Sequence, residues 1–463
     1  MKRTHTSTLV AAATAAVLGA ALGGLAITSP AAAAEAKAGG PTACGGIEKL
    51  RVTGAERLEA ACLTDLTTAG TVASGHTDPA DGAGLSIPGA VNPSGVPGIQ
   101  LDGYFPDTST FNTAHGWNHD AQFVIRMPQH WNGGLVVAGP PGVRRQYAND
   151  FTISDWVLAQ GYAYASTDKG NSGTTLYQDG KAPGDAIAEW HSRVTELTVA
   201  AKGVVKQQYN QGPRRTYIVG NSAAGYLTRW QLENRPELYD GGVEWNSLLV
   251  TPDRNLLTYL PTALKNYPAF AAGSEEAHQN ILAACFPAGS EPTWGLSNRI
   301  FWDPIQRTLR EELDPTFDGD LEAGHPACAT GTPDCDADYV LSERPPEVRE
   351  ALSRISLTGR IKKPLLTLQG TLDTAVTPRD TQLYASMIKA EGRQGLSRVY
   401  VVEGGNHFEA TYGAFPGLLR PMMPCVRDAF DALEQWTQDG TPPPPSHFIA
   451  RDASTDLVNT CNF

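Results

Sequence analysis

Beyond residue 98, apolar runs of strand length alternate with longer stretches of helical pattern. The strand pattern falls on residues 99–104, 122–127, 134–138, 162–166, 216–219, 243–248, 364–369 and 398–402. Residues 150–160, 186–209, 224–233 and 379–391, lying between them, read as helices. Strands that alternate with helices predict the α/β class, a mostly parallel sheet with helices on both faces. The rhythm fails only between about 252 and 360, where the helical patterns 256–265, 275–285, 303–312 and 346–355 are joined by Gly-, Pro- and Asp-rich loops. An insertion of that length between two sheet strands is expected to form a helical cap over one end of the sheet.

The chain's N-terminus has a different character. Lys2 and Arg3 precede an apolar Ala/Leu/Val/Gly stretch from Thr8 to Thr28, and Ala32-Ala33-Ala34 offers a small-residue cleavage site before Glu35. That is the pattern of a secretory signal peptide over residues 1–34. No second apolar run is long enough to span a bilayer, so no membrane association is expected after cleavage. The expected organisation is then a core segment 35–251, a cap 252–360 and a second core segment 361–463. Residues 37–100 are rich in Gly, Pro, Ala and Thr, and 81–97 reads as irregular surface chain; the Pro-rich stretch 441–445 reads as a linker to a C-terminal tail for Cys461 to tie down. Asp+Glu outnumber Lys+Arg by 49 to 36, a formal charge of -13, and loss of Lys2 and Arg3 makes the balance more acidic still. Such a surface repels phosphate backbones, which excludes nucleic acid as a partner.

All seven cysteines, Cys44, Cys62, Cys285, Cys328, Cys335, Cys425 and Cys461, lie after the leader, where oxidation is permitted. Proximity in sequence suggests Cys44 with Cys62, Cys328 with Cys335, and Cys425 with Cys461; an odd count leaves one over. No zinc pattern is present.

The strand 216–219 runs into Gly220-Asn221-Ser222-Ala223-Ala224-Gly225 and then a helix. In this context a serine sits on a sharp turn with Oγ exposed, and the turn needs small residues two positions to either side, here Gly220 and Ala224. The helix that follows aims N–H groups at the same point, which suits a developing oxyanion. A serine at a helix N-terminus is common enough that two later segments are needed to decide. Strand 364–369 leads to Gly370-Thr371-Leu372-Asp373, and strand 398–402 to Glu403-Gly404-Gly405-Asn406-His407. The order Ser222, Asp373, His407, each beyond a strand end, is that of the α/β-hydrolases. Glu403 is the nearest alternative acid in sequence. The second oxyanion donor, beside Ala223 N–H, is expected from the loop Gly139-Pro140-Pro141-Gly142-Val143; proline has no N–H, which leaves Gly142 or Val143.

These residues resemble the tannase/feruloyl esterase family of secreted α/β-hydrolases. The likeness is carried by Trp131-Asn132-Gly133-Gly134, by Gly161 through Lys169, by the run from His191 to Gly242, and by Gly370-x-x-Asp373-x-x-Val376-x-Pro378. That family pairs a cysteine just before its nucleophile with one just after its histidine; here the two positions are Asn221 and Phe408. Secreted hydroxyalkanoate-oligomer and polyester hydrolases are similar in the same general way. The resemblance implies a secreted serine carboxylic-ester hydrolase that works through an acyl-enzyme on phenolic or plant-derived esters. Hydrolysis of polyesters or 3-hydroxybutyrate oligomers is the alternative, and a serine peptidase on the same scaffold a further one. A small-molecule or polymeric ester is the expected partner, with no cofactor and no metal. The acidic residues Asp314, Asp318, Asp320, Asp334, Asp336 and Asp338 lack an EF-hand spacing and read as solvated loop rather than a Ca²⁺ site. Tyr259, Tyr267, Phe270, Phe286, Trp294, Phe301 and Trp302 of the cap fit either an apolar acyl site or the cap's own core.

Overall fold

A computed structural model describes residues 44–317 and 336–463. The leader, the Cys328–Cys335 pairing, and Asp318, Asp320 and Asp334 lie outside the described residues. Ten strands form one sheet: β1 (Arg57–Leu63), β2 (Gly98–Tyr104), β3 (Gln122–Pro128), β4 (Gly134–Ala138), β5 (Ala163–Thr167), β6 (Arg215–Asn221), β7 (Gly241–Trp245), β8 (Leu365–Gly370), β9 (Ser397–Val402) and β10 (His447–Ile449). Their spatial order is β1-β2-β3-β5-β4-β6-β7-β8-β9-β10. The three pairings from β1 to β5 are antiparallel, and every pairing from β5 to β10 is parallel.

The inner parallel strands, β4 to β8, are buried on both sides, which is why they read as unbroken apolar runs rather than alternating ones. In β4, Leu135 and Val137 join one apolar cluster with Val194, Leu197 and Ala201 of the helix Asp185–Tyr209, while Val136 and Ala138 join another with Val426, Phe430 and Leu433 of the helix Met423–Asp439. The period of two in the strand thus sorts one segment into two cores. No helix of the described residues is long and apolar enough to cross a membrane.

Several features depart from the sequence-based expectation. Ahead of the irregular stretch 81–97 the chain forms β1 and a short helix, Thr68–Ala73, neither of which was expected. β1 is an edge strand with little burial, so it lacks the alternation that betrays a strand. The first part of the expected helix 150–160 is a π turn, Asp150–Ser154. β7 ends at Trp245 rather than continuing to residue 248, because Asn246 turns out of the strand with φ 48°. The described segment between β7 and β8 contains helices joined by loops and no strand, including an unexpected helix Glu291–Ser297. Among the described residues two disulfides join the expected partners, Cys44 to Cys62 and Cys425 to Cys461, and Cys285 is free. Thus Cys461 does fasten the C-terminal tail, to the first turn of Met423–Asp439.

Burial raises several carboxyl groups far above their usual range: Asp155 and Glu409 to about 7, and Glu312 to about 8. Asp168 moves in the same direction, pushed by burial and by neighbouring Asp120. Between pH 7 and about 5 these groups hold protons in the folded state that the unfolded chain does not, so stability rises as pH falls through that window. His191 opposes the trend, since burial pulls it down to about 3, and so does Lys169 near pH 7, pulled down to about 7. Thermal unfolding should therefore show a higher Tm at pH 5 than at pH 7; a Tm that falls steadily over this range would contradict it.

Candidate active site

The turn after β6 is built around one left-handed residue. Ser222 has φ 54°, a region that costs an L-residue about 1–2 kcal/mol. It is the first residue of the helix Ser222–Asn234. Such strain persists only where the surroundings enforce it. A Cβ at position 220 would lie 2.6 Å from the carbonyl carbon of Ala224, so only glycine lets the chain fold back this tightly. From below, Arg229 donates to Glu244 of β7 (2.9 and 3.0 Å) and to the carbonyls of Ser247 and Leu248, and Leu248 N–H in turn donates to Ser222 O at 3.3 Å. The turn is thus braced from the end of the neighbouring strand.

Asp373 and His407 come together in the loops after β8 and β9. His407 Nδ1 lies 2.9 Å from Asp373 Oδ2, and Asp373 Oδ1 accepts from the backbone N–H groups of Ala375 (2.8 Å) and Val376 (2.9 Å). Asp373 is fully buried, and His407 and Ser222 are each only 4% exposed. The carboxylate therefore has one oxygen committed to the backbone and one to the imidazole. Ser222 Oγ makes no hydrogen bond to His407 in this conformation; contacts of this kind are often open in free enzymes and tighten on substrate. Glu403, the alternative acid, is exposed and accepts from Arg451 N–H at 2.8 Å, turned toward the tail rather than the imidazole.

Hydrogen bonds tie together the loops after β7, β8 and β9. Asn246, at the end of β7, donates through Nδ2 to Asn406 O (2.9 Å), and its Oδ1 accepts from Gly370 N–H (2.9 Å). Asn406 Nδ2 reaches back to Leu372 O at 2.7 Å, and Leu372 N–H donates to Gly405 O at 2.9 Å. The two loops cross so closely that a Cβ on Gly370 would sit 2.5 Å from the carbonyl carbon of Gly405. Asn221, directly before Ser222, has its Oδ1 buried and without a partner among the described residues. Asn246 was not among the sequence candidates; an asparagine directly after a strand, a type that tolerates φ > 0, is the signal that could have found it.

Helices of the β7–β8 segment clamp the acid loop. Trp302 Nε1 donates to Thr374 O (2.7 Å), Ser297 Oγ meets Thr374 Oγ1 (2.6 Å), and Tyr259 OH donates to Ala375 O (3.1 Å). The aromatic residues there mostly pack on one another: Phe270 on Trp294 at 4.7 Å and Phe286 on Trp302 at 4.9 Å between ring centres, with Trp294 and Trp302 fully buried. They form the segment's core rather than an open acyl site. Phe301 is the exception, its ring 5.6 Å from that of His407. Asp314 is engaged by Arg344 and Tyr339, Asp336 by Arg310, and no cluster able to hold a metal ion occurs among the described residues.

β4 pairs in parallel with β6, so the loop after β4 leaves the sheet at the same end as the Ser222 turn. Ala223 N–H, in the first turn of its helix, has no intrahelical acceptor. Gly142 and Val143 are only partly buried, and neither N–H donates within the described structure. Against this loop lies Lys169, fully buried, which the sequence shows only as part of a Thr-Asp-Lys run ending β5. Burial pulls its ammonium down to about 7.

A mostly parallel sheet with a left-handed serine turn after one strand and an acid and a histidine after two later ones is the α/β-hydrolase fold. Within it, residues 108–244 match the family model described as tannase and feruloyl esterase, so the chain resembles that family over this stretch. Feruloyl esterase B from Aspergillus oryzae has a similar structure, with 14% identity, 89% of this chain and 93% of that one covered, and a TM-score of 0.56. An esterase from Aspergillus oryzae is similar at 14% identity, with 87% and 90% covered and a TM-score of 0.53. At such identity the likeness is one of fold. No curated protein matches the chain by sequence.

Proposed function

We propose that the protein is a secreted serine carboxylic-ester hydrolase, with esters of phenolic acids as its substrate class. The observation that carries the reading is the Asp373–His407 hydrogen bond, lying past two strand ends of the sheet whose β6 ends in the strained Ser222 turn. Ser222 Oγ attacks the ester carbonyl as His407 Nε2 takes its proton, while Asp373 holds the imidazole in the tautomer that leaves Nε2 free to accept. The tetrahedral anion is met by Ala223 N–H and by an N–H of the 142–143 loop. His407 then protonates the leaving alcohol, and water, activated by the same imidazole, releases the acid from Ser222. The acyl group's identity rests on the resemblance alone; Phe301 beside the imidazole suits an aromatic acid. The two disulfides fit export with loss of residues 1–34.

The test is stoichiometric labelling of Ser222 by a fluorophosphonate, followed by a panel of hydroxycinnamate methyl esters, gallate esters, hydroxybutyrate oligomers, p-nitrophenyl acyl esters and matching amides. An unlabelled Ser222 in folded protein would overturn the site; preference for amides or hydroxybutyrate oligomers would move the substrate class.

A further expected outcome concerns reduction. Neither disulfide joins Ser222 to His407, so mild reductant, at a temperature where the fold persists, should leave turnover per folded molecule nearly unchanged. Cys425 lies closer to the site than its sequence distance suggests, because Met422 N–H, just before its helix, donates to Glu409 two residues past His407. Turnover followed against far-UV circular dichroism across a reductant titration checks this. Activity lost before the spectrum moves would show that the Cys425–Cys461 bond supports the histidine loop.

A further inference from the structure

We infer that Lys169 is the positioning residue of the oxyanion loop, and that the donor it sets in place is Val143 N–H. This rests on the esterase reading above and deepens it. The loop after β4 is held by its carbonyls. Gly139 O accepts from Asn149 Nδ2 (2.6 Å) and Val143 O from Gly173 N–H (3.0 Å), while Lys169 Nζ donates to both Pro140 O (3.2 Å) and Gly142 O (2.8 Å). One ammonium therefore fixes the two carbonyls on either side of Pro141. Pro140 and Pro141 have no N–H with which to hold the loop in any other way.

The orientation of the donor follows from peptide geometry. No cis peptide occurs in the described structure, and in a trans peptide the C=O and N–H of one unit point in opposite directions. With Gly142 O drawn toward Lys169, the N–H of the same peptide unit, that of Val143, is turned away from it. The next carbonyl, Val143 O, is held by Gly173, so this N–H is bracketed on both sides. Gly142 N–H belongs to the Pro141 peptide unit, whose carbonyl has no such anchor. When Lys169 is protonated, its hydrogen bond also polarises the Gly142–Val143 peptide and strengthens the donor at its far end.

Lys169 is costly to keep where it is. It has left water completely, its Nζ stands 5.2 Å from the centre of the Trp190 ring, and its backbone is in the left-handed region at φ 72°. A side chain serving only to fill that space would be more stable as a hydrocarbon. The arrangement has a reason if two carbonyls must be held with direction.

The test compares Lys169→Met, which keeps the length and loses the donors, with the wild type. The variant is expected to lose about 10²-fold in kcat, the scale of one oxyanion donor, with KM within about twofold. The rate of Ser222 phosphonylation, which builds a tetrahedral anion at the same place, should fall in parallel, while circular dichroism and Tm show a folded protein. A role in packing alone would lower Tm and leave the kcat of the folded fraction intact. If Lys169→Met is not recovered folded, Lys169→Gln, whose amide can reach one carbonyl, carries the test by the same readouts with a smaller loss. Wild-type kcat in a folded variant would overturn the role of Lys169 and leave the esterase reading untouched. Failure of the wild type to label at Ser222 would overturn that reading and this inference with it.

Discussion

Replacing Ser222 by alanine is expected to remove ester turnover, by about 10⁶-fold in kcat, with no measurable change in far-UV circular dichroism. The backbone gives no reason for a structural side effect. Ser222 sits at φ 54°, and alanine, which also carries a Cβ, meets the same steric cost there as serine. Ser222 Oγ has no hydrogen bond to lose, and the turn is fixed through Gly220, Arg229 and the Leu248 N–H bond to Ser222 O, none of which involves the hydroxyl. The substitution therefore takes away a nucleophile and nothing else. Steady-state turnover of a p-nitrophenyl ester measures it, and a folded variant that keeps its rate would end the assignment of the nucleophile.

Asp373→Asn should cost on the order of 10⁴ in kcat with little change in KM. The geometry says why an isosteric change is so damaging. Oδ1 of Asp373 accepts from two backbone N–H groups, Ala375 and Val376, so an asparagine must place its carbonyl oxygen there. Its NH₂ group is then forced toward His407 Nδ1, where Oδ2 now stands. An N–H donor at that point requires Nδ1 to accept, which moves the ring proton to Nε2. An imidazole with its proton on Nε2 cannot take one from Ser222. The flipped amide, which would restore the tautomer, must face two backbone donors with two more, at a cost of about 1–3 kcal/mol for each buried group left unpaired. Kinetics across pH 6–9 checks the claim; near-normal turnover would mean that another group orients the histidine.

Most of the parallel half of the fold was legible in the sequence because β4 to β8 are buried on both faces and show as short apolar runs. The remaining parts were hidden for different physical reasons. β1 (Arg57–Leu63) has one face and one edge in solvent and carries Glu59 and two alanines, so no alternation marks it. β10 has three residues after a run of prolines, too short for any pattern. The helix Met423–Asp439 does carry a signal, Val426, Ala429, Phe430 and Leu433 on one buried face, and a reading centred on strands passes it by. In the site, Ser222, Asp373 and His407 stand out because each follows a strand at a turn. Asn246 and Lys169 did not, since what they do is hold backbone carbonyls and amides that no residue pattern reveals.

The crossing of the β8 and β9 loops at Gly370 and Gly405 has a dynamic consequence. Thr371 N–H donates to Val402 O, Leu372 N–H to Gly405 O, and Gly404 N–H to Thr371 Oγ1, so the acid and the histidine belong to one knitted piece of chain. Ser222 belongs to another, the β6 turn and its helix. Local opening is therefore expected to carry Asp373 and His407 together, with residues 246–248 as the link to the Ser222 turn. The amides of Thr371, Leu372 and Gly404 would exchange their hydrogens as a single cooperative unit, separately from those of the nucleophile's helix.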